Sequence, residues 1–149
     1  MSEPTPPDPT PPESTPTHQE RSPDDLGIVQ GQLAPCPDSP NCVSTQAPKE
    51  DGRHYIAPVP FEGTPSSVMN RIVQEITRQP RSRIVKRDGT YLRAEFRSRI
   101  FRFVDDVEFY LDAEKNLVHF RSAARKGYGD FGANRDRMEA FSALLAPLE

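Results

Sequence analysis

Two neighbouring segments in the second half of the chain alternate apolar and polar residues, and this pattern restricts the fold more than any other sequence feature. Residues 101–111 read FRFVDDVEFYL, and residues 117–122 read LVHFRS after a short polar loop. Because successive side chains of a strand point to opposite faces of its sheet, the segments predict an antiparallel hairpin with one apolar face. On the first strand, this face is predicted to carry Phe101, Phe103, Val107, Phe109 and Leu111.

The apolar residues also predict the register of this hairpin. With Leu111 opposite Val118, Phe109 faces Phe120, so that apolar residues meet on one face of the sheet. Polar residues then collect on the other face, where the predicted pairs are Tyr110 with His119, Glu108 with Arg121 and Asp106 with Ala123.

Two amphipathic helices are predicted around these strands. Residues 64–79 repeat apolar residues at three- and four-residue spacing, with Thr64 as the predicted N-cap. Residues 131–145 carry a second helical stripe, with Asp130 as the predicted N-cap and Pro147 as the end. Each helix has one apolar side, which must pack against the sheet.

A second hairpin is predicted before the first one. Asp88 and Gly89 stand between SRIVKR and TYLRAEF, and this dipeptide is typical of a two-residue type I′ turn. Residues 54–61 read HYIAPVPF, whose weak alternation and two prolines suit an edge strand or an extended crossing segment.

These elements predict an α+β fold: an antiparallel sheet of two hairpins, about four to five strands in all, with two helices on one face. We predict a single domain over residues 33–149 behind a disordered Pro-, Thr- and acid-rich tail over residues 1–32. The tail holds 8 of the 17 prolines and only four apolar residues, too few for a hydrophobic core.

The N-terminal sequence shows no export signal. It begins MSEPTPPDPT, without the basic and apolar regions of a signal peptide, and no stretch approaches 18 apolar residues. The sequence therefore predicts a soluble, cytoplasmic protein without a transmembrane segment. We interpret the proline-rich tail as a solvated linker, and a docking strip for a proline-recognising partner is the alternative.

A stiff loop encloses the two cysteines of the chain. In the segment LAPCPDSPNCVSTQ, three prolines and the turn-forming Asp38 and Asn41 surround Cys36 and Cys42. We favour a structural pair, bridged by a disulfide or merely adjacent, and a redox-active pair or a metal site are the alternatives. No metal site is expected, because the two histidines of the domain lack zinc-type spacing.

A polar cluster is predicted where the last hairpin meets the last helix. Pairs of Asp106 or Glu108 with Arg121 or Arg125 would lock the hairpin to the start of the helix, which is the interpretation we favour. The alternative is a pocket in which arginines face a small anionic ligand. The candidate residues are Asp105, Asp106, Glu108, Arg121, Arg125, Asp130, Asn134 and Arg135.

Three unusual blocks, CPDSPNCVSTQ, FVDDVEFYLD and FRSAARKGYGDFGANRDRME, occur in this order. In these blocks the chain resembles the domain-of-unknown-function 1499 family, from about Leu33 to the C-terminus. The resemblance implies no activity, and it implies relatives that include exported or membrane-anchored bacterial proteins and chloroplast proteins. This chain has Ala124 where the family commonly has serine, so a hydroxyl there is not essential. By position, the family pattern falls on Cys36, Pro37, Asp38, Ser39, Pro40, Asn41, Cys42, Asp105, Asp106, Arg121, Ser122, Arg125, Gly127, Asp130, Gly132, Asn134 and Arg135.

Two further motifs are interpreted as structural. Gly127, Gly129 and Gly132 match a dinucleotide-binding spacing, but no parallel strand and no acidic residue follow at the required distance. Residues 71–102 hold ten Lys or Arg against three acids. Nucleic-acid binding is not expected there, because acidic residues interrupt the basic ones and no RNA-binding motif is present.

The sequence thus predicts a small domain without an assigned reaction. No Ser, His and Asp set and no Cys and His pair emerges from the spacing, and no cofactor is expected. We predict a non-catalytic binding or assembly module that holds a partner protein or a small anionic ligand. An enzyme acting on a small anionic ligand is the first alternative, and a weak nucleic-acid binder is the second.

Overall fold

The fold is the predicted α+β arrangement. The computed structural model describes residues 26–100 and 103–146, which form six strands and two helices. The elements are β1 (Cys42–Ser44), β2 (Val59–Pro60), α1 (Pro65–Thr77), β3 (Ser82–Asp88), β4 (Tyr91–Arg97), β5 (Val104–Asp112), β6 (Leu117–Ala124) and α2 (Ala133–Leu145). The strands form one antiparallel sheet in the order β1-β6-β5-β4-β3, and β2 pairs with the first residues of β6.

The register predicted for β5 and β6 is confirmed. Leu111 lies opposite Val118, and Glu108 lies opposite Arg121. The apolar side of both strands packs against α1 and α2. We call the opposite side of the sheet, which carries Glu108 and Arg121, the outer face.

The core lies between this apolar side and the two helices. The rings of Phe96 and Phe109 each meet the ring of Phe141 edge-on, with centroids 6.1 and 5.6 Å apart. The main buried apolar side chains are Met69, Ile72 and Ile76 of α1, Leu92, Ala94 and Phe96 of β4, Val107, Phe109 and Leu111 of β5, Val118 and Phe120 of β6, and Met138, Phe141 and Leu145 of α2.

Phe103 does not belong to the apolar face, and its predicted position there is wrong. The strand begins only at Val104, and Phe103 lies in the preceding loop with 56% of its surface exposed. The amide of Phe103 donates a hydrogen bond to the hydroxyl of Ser98, and its carbonyl accepts one from the amide of Ser98. These two hydrogen bonds close a turn before the strand starts. Phe101, placed on the same face, lies outside the described residues.

Helix α1 begins as the sequence predicts. The hydroxyl of Thr64 accepts a hydrogen bond from the amide of Ser67 at 3.1 Å, and Pro65 occupies the first helical position. The helix ends at Thr77, two residues before the predicted end, and the chain then turns into β3.

The turn between β3 and β4 lies one residue later than predicted. Asp88 pairs with Tyr91, so Gly89 and Thr90 form the turn. Only Gly89 has a positive φ, at 58°. A glycine with positive φ at the first turn position is typical of a type II′ turn, not of the predicted type I′ turn.

Helix α2 begins two residues later than its predicted cap implies. Gly132 is the N-cap, with a φ of 80°. The carboxylate of Asp130 nevertheless accepts hydrogen bonds from the amides of Gly132 and Asn134, at 2.9 and 3.0 Å. Asp130 therefore satisfies amides at the helix start from outside the helix. The predicted end at Pro147 lies outside the described residues.

A segment before β1 covers part of the outer face. The amide of Gly27 donates to Glu108 at 2.9 Å, and the carbonyl of Gly31 accepts from the side chain of Gln46 at 3.0 Å. Leu33 is buried in this segment. Residues assigned to the tail thus contact the sheet, and the domain boundary at Leu33 stays a prediction.

Two predictions from the sequence concern the N-terminal tail and the absence of a transmembrane segment. The disorder predicted for residues 1–32 falls mainly on residues 1–25, which lie outside the described residues. Among residues 26–100 and 103–146, neither helix has the length and apolar character needed to cross a membrane.

Candidate functional site

The shortest charge contacts on the outer face centre on Arg125. Its guanidinium donates to both carboxylate oxygens of Asp106, at 3.0 and 2.6 Å, and to Glu95 at 2.8 Å. All three side chains are largely buried, with Arg125 itself 13% exposed. The hydrogen bond to Asp106 is the main cause that raises the pKa of Arg125, and the hydrogen bond from Arg125 lowers the pKa of Glu95. Arg125 therefore joins β4, β5 and the end of β6.

Glu108 is a fully buried carboxylate beneath the segment that precedes β1. The Tyr91 hydroxyl donates to one of its oxygens at 2.6 Å, and the Gly27 amide donates to the same oxygen. Its other oxygen lies 3.8 Å from the guanidinium of Arg121, which also donates to the carbonyl of Pro35. Burial and the charge of Glu108 raise the pKa of the Tyr91 phenol. Glu108 and Arg121 thus attach the N-terminal segment to the sheet.

A second polar network lies on the opposite side of the sheet, against α2. Arg137 donates to Asp105 at 2.9 Å, to the side-chain oxygen of Asn134 at 2.9 Å and to the hydroxyl of Ser122 at 3.2 Å. The Arg137 guanidinium also lies 4.9 Å from the ring centroid of Phe96. Burial raises the pKa of Asp105, although the charge of Arg137 acts in the other direction.

The cysteine loop is tied to this second network. Cys36 and Cys42 form a disulfide, with their Cα atoms 5.8 Å apart. The side chain of Asn41 donates to the carbonyl of Gly127 at 2.9 Å, and its carbonyl accepts from the side chain of Asn134 at 3.3 Å. Asn41 is fully buried, so these contacts replace water at its polar atoms.

The middle of the cysteine loop contacts a buried histidine. The Nδ1 atom of His54 lies 2.7 Å from the carboxylate of Asp51, and its Nε2 atom lies 2.8 Å from the carbonyl of Ser39. The hydrogen bond with His54 lowers the pKa of Asp51. The Ser39 hydroxyl in turn donates to the side chain of Asn41 at 2.8 Å. These contacts continue the network from the cysteine loop to the segment around His54.

The sheet divides the predicted cluster of eight residues, because neighbouring strand residues point to opposite faces. Four members, Asp106, Glu108, Arg121 and Arg125, lie on the outer face. Three members, Asp105, Asp130 and Asn134, lie on the side of α2.

Two other candidate residues lie apart from both networks. Arg135 donates to the carbonyls of Arg53 and Tyr55, at 3.2 and 2.9 Å. The side chain of Asp38 is fully exposed and lies 3.5 Å from Arg53. The structure therefore brings neither residue to the charge pairs of the sheet.

The predicted cluster left out two central members of these networks, Arg137 and Glu95. A signal for Arg137 exists, because it follows Asn134 by three residues and helical periodicity places the two side chains on one face. Glu95 meets Asp106 only through the pairing of β4 with β5, which the sequence pattern does not specify. The sequence also indicates which face of the sheet carries Asp105. This residue precedes Val107 by two positions, and strand alternation places both side chains on the apolar face.

A cleft of 560 Å³ opens beside His119, lined by Lys49, Tyr55 and Asp112 among others. The Nδ1 atom of His119 lies 2.8 Å from the Thr45 hydroxyl, and burial lowers the pKa of His119. The same hydroxyl accepts a hydrogen bond from a backbone amide of β6 at 3.1 Å, so it is engaged in the fold. Within the described part of the chain, no group of three His, Cys, Asp or Glu residues could hold a metal ion.

Exposed apolar side chains collect in two loops at one end of the sheet. Ile100 is 80% exposed and Phe103 is 56% exposed in the loop between β4 and β5. Tyr128 is 41% exposed and Phe131 is fully exposed in the loop between β6 and α2. We call these four residues the loop surface. Single exposed apolar residues are ordinary on a protein surface, whereas a group of them is typical of a contact site.

These contacts define a small α+β domain with a disulfide-closed loop and two internal polar networks. The chain belongs to the family described as Protein of unknown function (DUF1499), whose sequence profile matches residues 32–145. The resemblance found in the three sequence blocks is thereby confirmed. Comparison of the chain with curated proteins and with solved structures found no match in either set.

Proposed function

We propose that the domain is a non-catalytic binding module and that it binds through the loop surface. The observation that carries this proposal is the conformation of Phe131, which is fully exposed and has a φ of 54°. Residues with a Cβ atom avoid this region, where the strain is about 1 kcal/mol. Among the described residues, three others with a Cβ atom share this conformation, Gln30, Arg81 and Asn116, and all three are polar. A large apolar residue in water at a strained position points to a contact outside the domain.

The polar networks support the proposal by holding the loop of Phe131 in place. Asn41 binds the carbonyl of Gly127 at one end of this loop, and Asp130 binds amides at the other end. In this proposal the charged cluster positions the binding loop and is not itself the pocket for an anionic ligand. The reason is that the guanidinium of Arg125 already binds two carboxylates.

The hydroxyl and imidazole groups of the interior support a role without catalysis. The Ser122 hydroxyl donates to Asn134, and both ring nitrogens of His54 contact acceptors within the fold. These groups are engaged in structural hydrogen bonds, whereas a catalytic nucleophile needs a neighbouring base and access to a substrate.

The first test measures whether the side chain of Phe131 stabilises the folded domain. We expect Phe131→Asn to leave the free energy of unfolding unchanged or to raise it by up to about 1 kcal/mol, because strain is relieved and no packing is lost. Phe141→Asn is the control, because replacing this buried phenylalanine should lower the free energy of unfolding by more than about 3 kcal/mol. A clear loss of stability in Phe131→Asn would show that Phe131 packs within the domain and would reject the proposed surface.

The second test measures contact with a partner in intact host cells. A photoreactive phenylalanine analogue replaces Phe131, and a control protein carries it at the exposed position Glu139 of α2. The proposal expects a discrete adduct, identified by mass spectrometry, at position 131 only. Equal labelling at both positions, or none at position 131, would contradict it.

We also infer that the domain works in an oxidising compartment, which differs from the cytoplasmic location expected from the sequence. The disulfide between Cys36 and Cys42 supports this inference, because such bonds persist mainly outside the reducing cytosol. Alkylation of the protein directly in lysed host cells should leave both cysteines unmodified. Two alkylated thiols would place the protein in a reducing compartment.

A further inference from the structure

We propose that the partner of the loop surface is an anionic lipid surface, into which Tyr128 and Phe131 insert while nearby cations contact lipid headgroups. This proposal rests on the proposed function, because it names the partner of the same loops. It follows from the position of the two loops, from the charges around them and from the charge at the opposite end of the sheet.

The two loops emerge side by side from one end of the sheet. The amide of Arg125, the first residue after β6, donates to the carbonyl of Val104, the first residue of β5, at 2.9 Å. Phe103 and Lys126 are the next residues outward, and both are exposed. Apolar and cationic side chains therefore project together beyond the last strand pair.

Basic residues dominate this end of the sheet. Arg97, Arg99 and Lys126 are exposed beside the loop surface, and Arg97 also lies 3.8 Å from Glu95. The exposed acid nearby is Asp136, in the first turn of α2. The acidic residue of the same loops, Asp130, binds backbone amides and the side chain of Asn134. Cations held near an anionic membrane contribute about 1 kcal/mol each, or about a fivefold gain in partitioning.

The opposite end of the sheet has no such excess of cations. Its strand ends and turns hold Asp88, Asp112 and Glu114 beside Arg87 and Lys115, with Lys49 lining the same cleft as Asp112. Strand β5 has nine residues, so the two ends lie about 30 Å apart. An anionic surface would therefore attract the loop end more strongly than the turn end, which orients the domain before contact.

The form of the loop surface favours a lipid bilayer over a folded protein partner. Its aromatic residues stand on projecting loops, with Phe131 exposed on all sides, and they do not line a cavity. A bilayer accepts projecting apolar side chains without a complementary shape, and the amphipathic tyrosine ring suits the headgroup region. The nearby groove between α2 and β4 contains Phe96 and Phe141 but none of the loop-surface residues.

The test is co-sedimentation of the purified full chain with vesicles of phosphatidylcholine, with and without about 30% phosphatidylserine as the anionic lipid. We expect binding to the anionic vesicles only, with a marked loss at high salt. Phe131→Ser should weaken partitioning about tenfold or more, since a buried phenylalanine side chain is lost from the lipid. Arg99→Ala and Lys126→Ala should weaken it about fivefold each.

Matched controls lie away from the loop surface. Val29→Ser removes another exposed apolar residue, from the segment before β1, and Lys115→Ala removes a cation from the turn end. Both variants should bind anionic vesicles like the natural chain. Equal losses in the controls, or no binding to anionic vesicles at low salt, would overturn the lipid assignment.

Other occupants of the loop surface give distinguishable results. If a second copy of the chain covered this surface, sedimentation equilibrium would show a dimer that Phe131→Ser dissociates, and the lipid proposal would fail. If vesicles fail to bind while photolabelling at position 131 yields a protein adduct, the lipid proposal is wrong and the binding module stands. If no adduct forms at that position either, both proposals are wrong.

Discussion

Arg125 illustrates how single residues of this domain neutralise charge inside the sheet. Asp106 and Glu95 face each other across β4 and β5, and without a cation the two carboxylates would repel each other. The guanidinium lies between them and donates to both. A lysine could not reproduce the two parallel hydrogen bonds to Asp106, because its ammonium group is a point charge without the planar fork.

The first prediction concerns the loss of this cation. Arg125→Ala should lower the free energy of unfolding by about 3 kcal/mol, because it leaves two largely buried carboxylates without their partner. Arg83→Ala is the matched control. Arg83 lies 3.5 Å from the same Glu95 but is largely exposed, so its removal should cost less than about 1 kcal/mol. Urea unfolding of both variants measures the difference, and equal losses would show that burial does not set the strength of these contacts.

The second prediction concerns acid stability through Glu95. Its pKa is lowered in the folded state, mainly by the hydrogen bond from Arg125, so the group stabilises the fold above the unfolded pKa. This stabilisation is lost as the pH falls below the ordinary glutamate pKa of 4.5 and through the lower folded value. Glu95→Gln should therefore be less stable than the natural chain at neutral pH and should lose less stability between neutral pH and acid. Urea unfolding at neutral and acidic pH measures this difference. If both proteins lose the same free energy of unfolding between the two pH values, the assignment to Glu95 is wrong.

Among the elements, the cysteine loop connects parts of the fold that are distant in sequence. Its disulfide closes a loop whose Asn41 contacts Gly127 before α2, and whose Ser39 contacts His54. The loop therefore braces the start of α2 as well as β1.

The third prediction concerns this loop. Replacement of both cysteines, Cys36→Ser with Cys42→Ser, should lower the free energy of unfolding by about 2 kcal/mol, because the unfolded chain regains the entropy of a short loop. Treatment of the natural chain with a reductant should give the same loss. If the reduced protein unfolds at the same denaturant concentration as the oxidised protein, the disulfide does not brace the loop.

The elements also show why some features are readable from sequence. The register of β5 and β6 was predicted because pairing Leu111 with Val118 also brings Phe109 opposite Phe120, whereas a slip of one residue would put apolar residues opposite polar ones. Strand β1 has three residues and β2 has two, so alternation cannot be detected in them. The turn at Gly89 was placed one residue early, because aspartate tolerates both a turn position and the end of a strand.

At the scale of the whole molecule, the sheet acts as a partition. The sequence predicted one convergent cluster, on the expectation that the last hairpin and the last helix are neighbours. Adjacent strand residues point in opposite directions, so the two aspartates bind different partners: Asp105 binds Arg137 on α2, and Asp106 binds Arg125 after β6. The polar residues therefore hold two layers of one fold together.

The separation of the two charge networks by the sheet can be measured with double-mutant cycles on the free energy of unfolding. The cycle of Asp106→Asn with Arg125→Ala, and the cycle of Asp105→Asn with Arg137→Ala, should each give a coupling energy of at least about 1 kcal/mol. The crossed cycle of Asp105→Asn with Arg125→Ala should be additive within about 0.5 kcal/mol, because the sheet separates the two residues. A crossed coupling as large as the two direct ones would mean that the charges form a single cluster and that the sheet does not divide them.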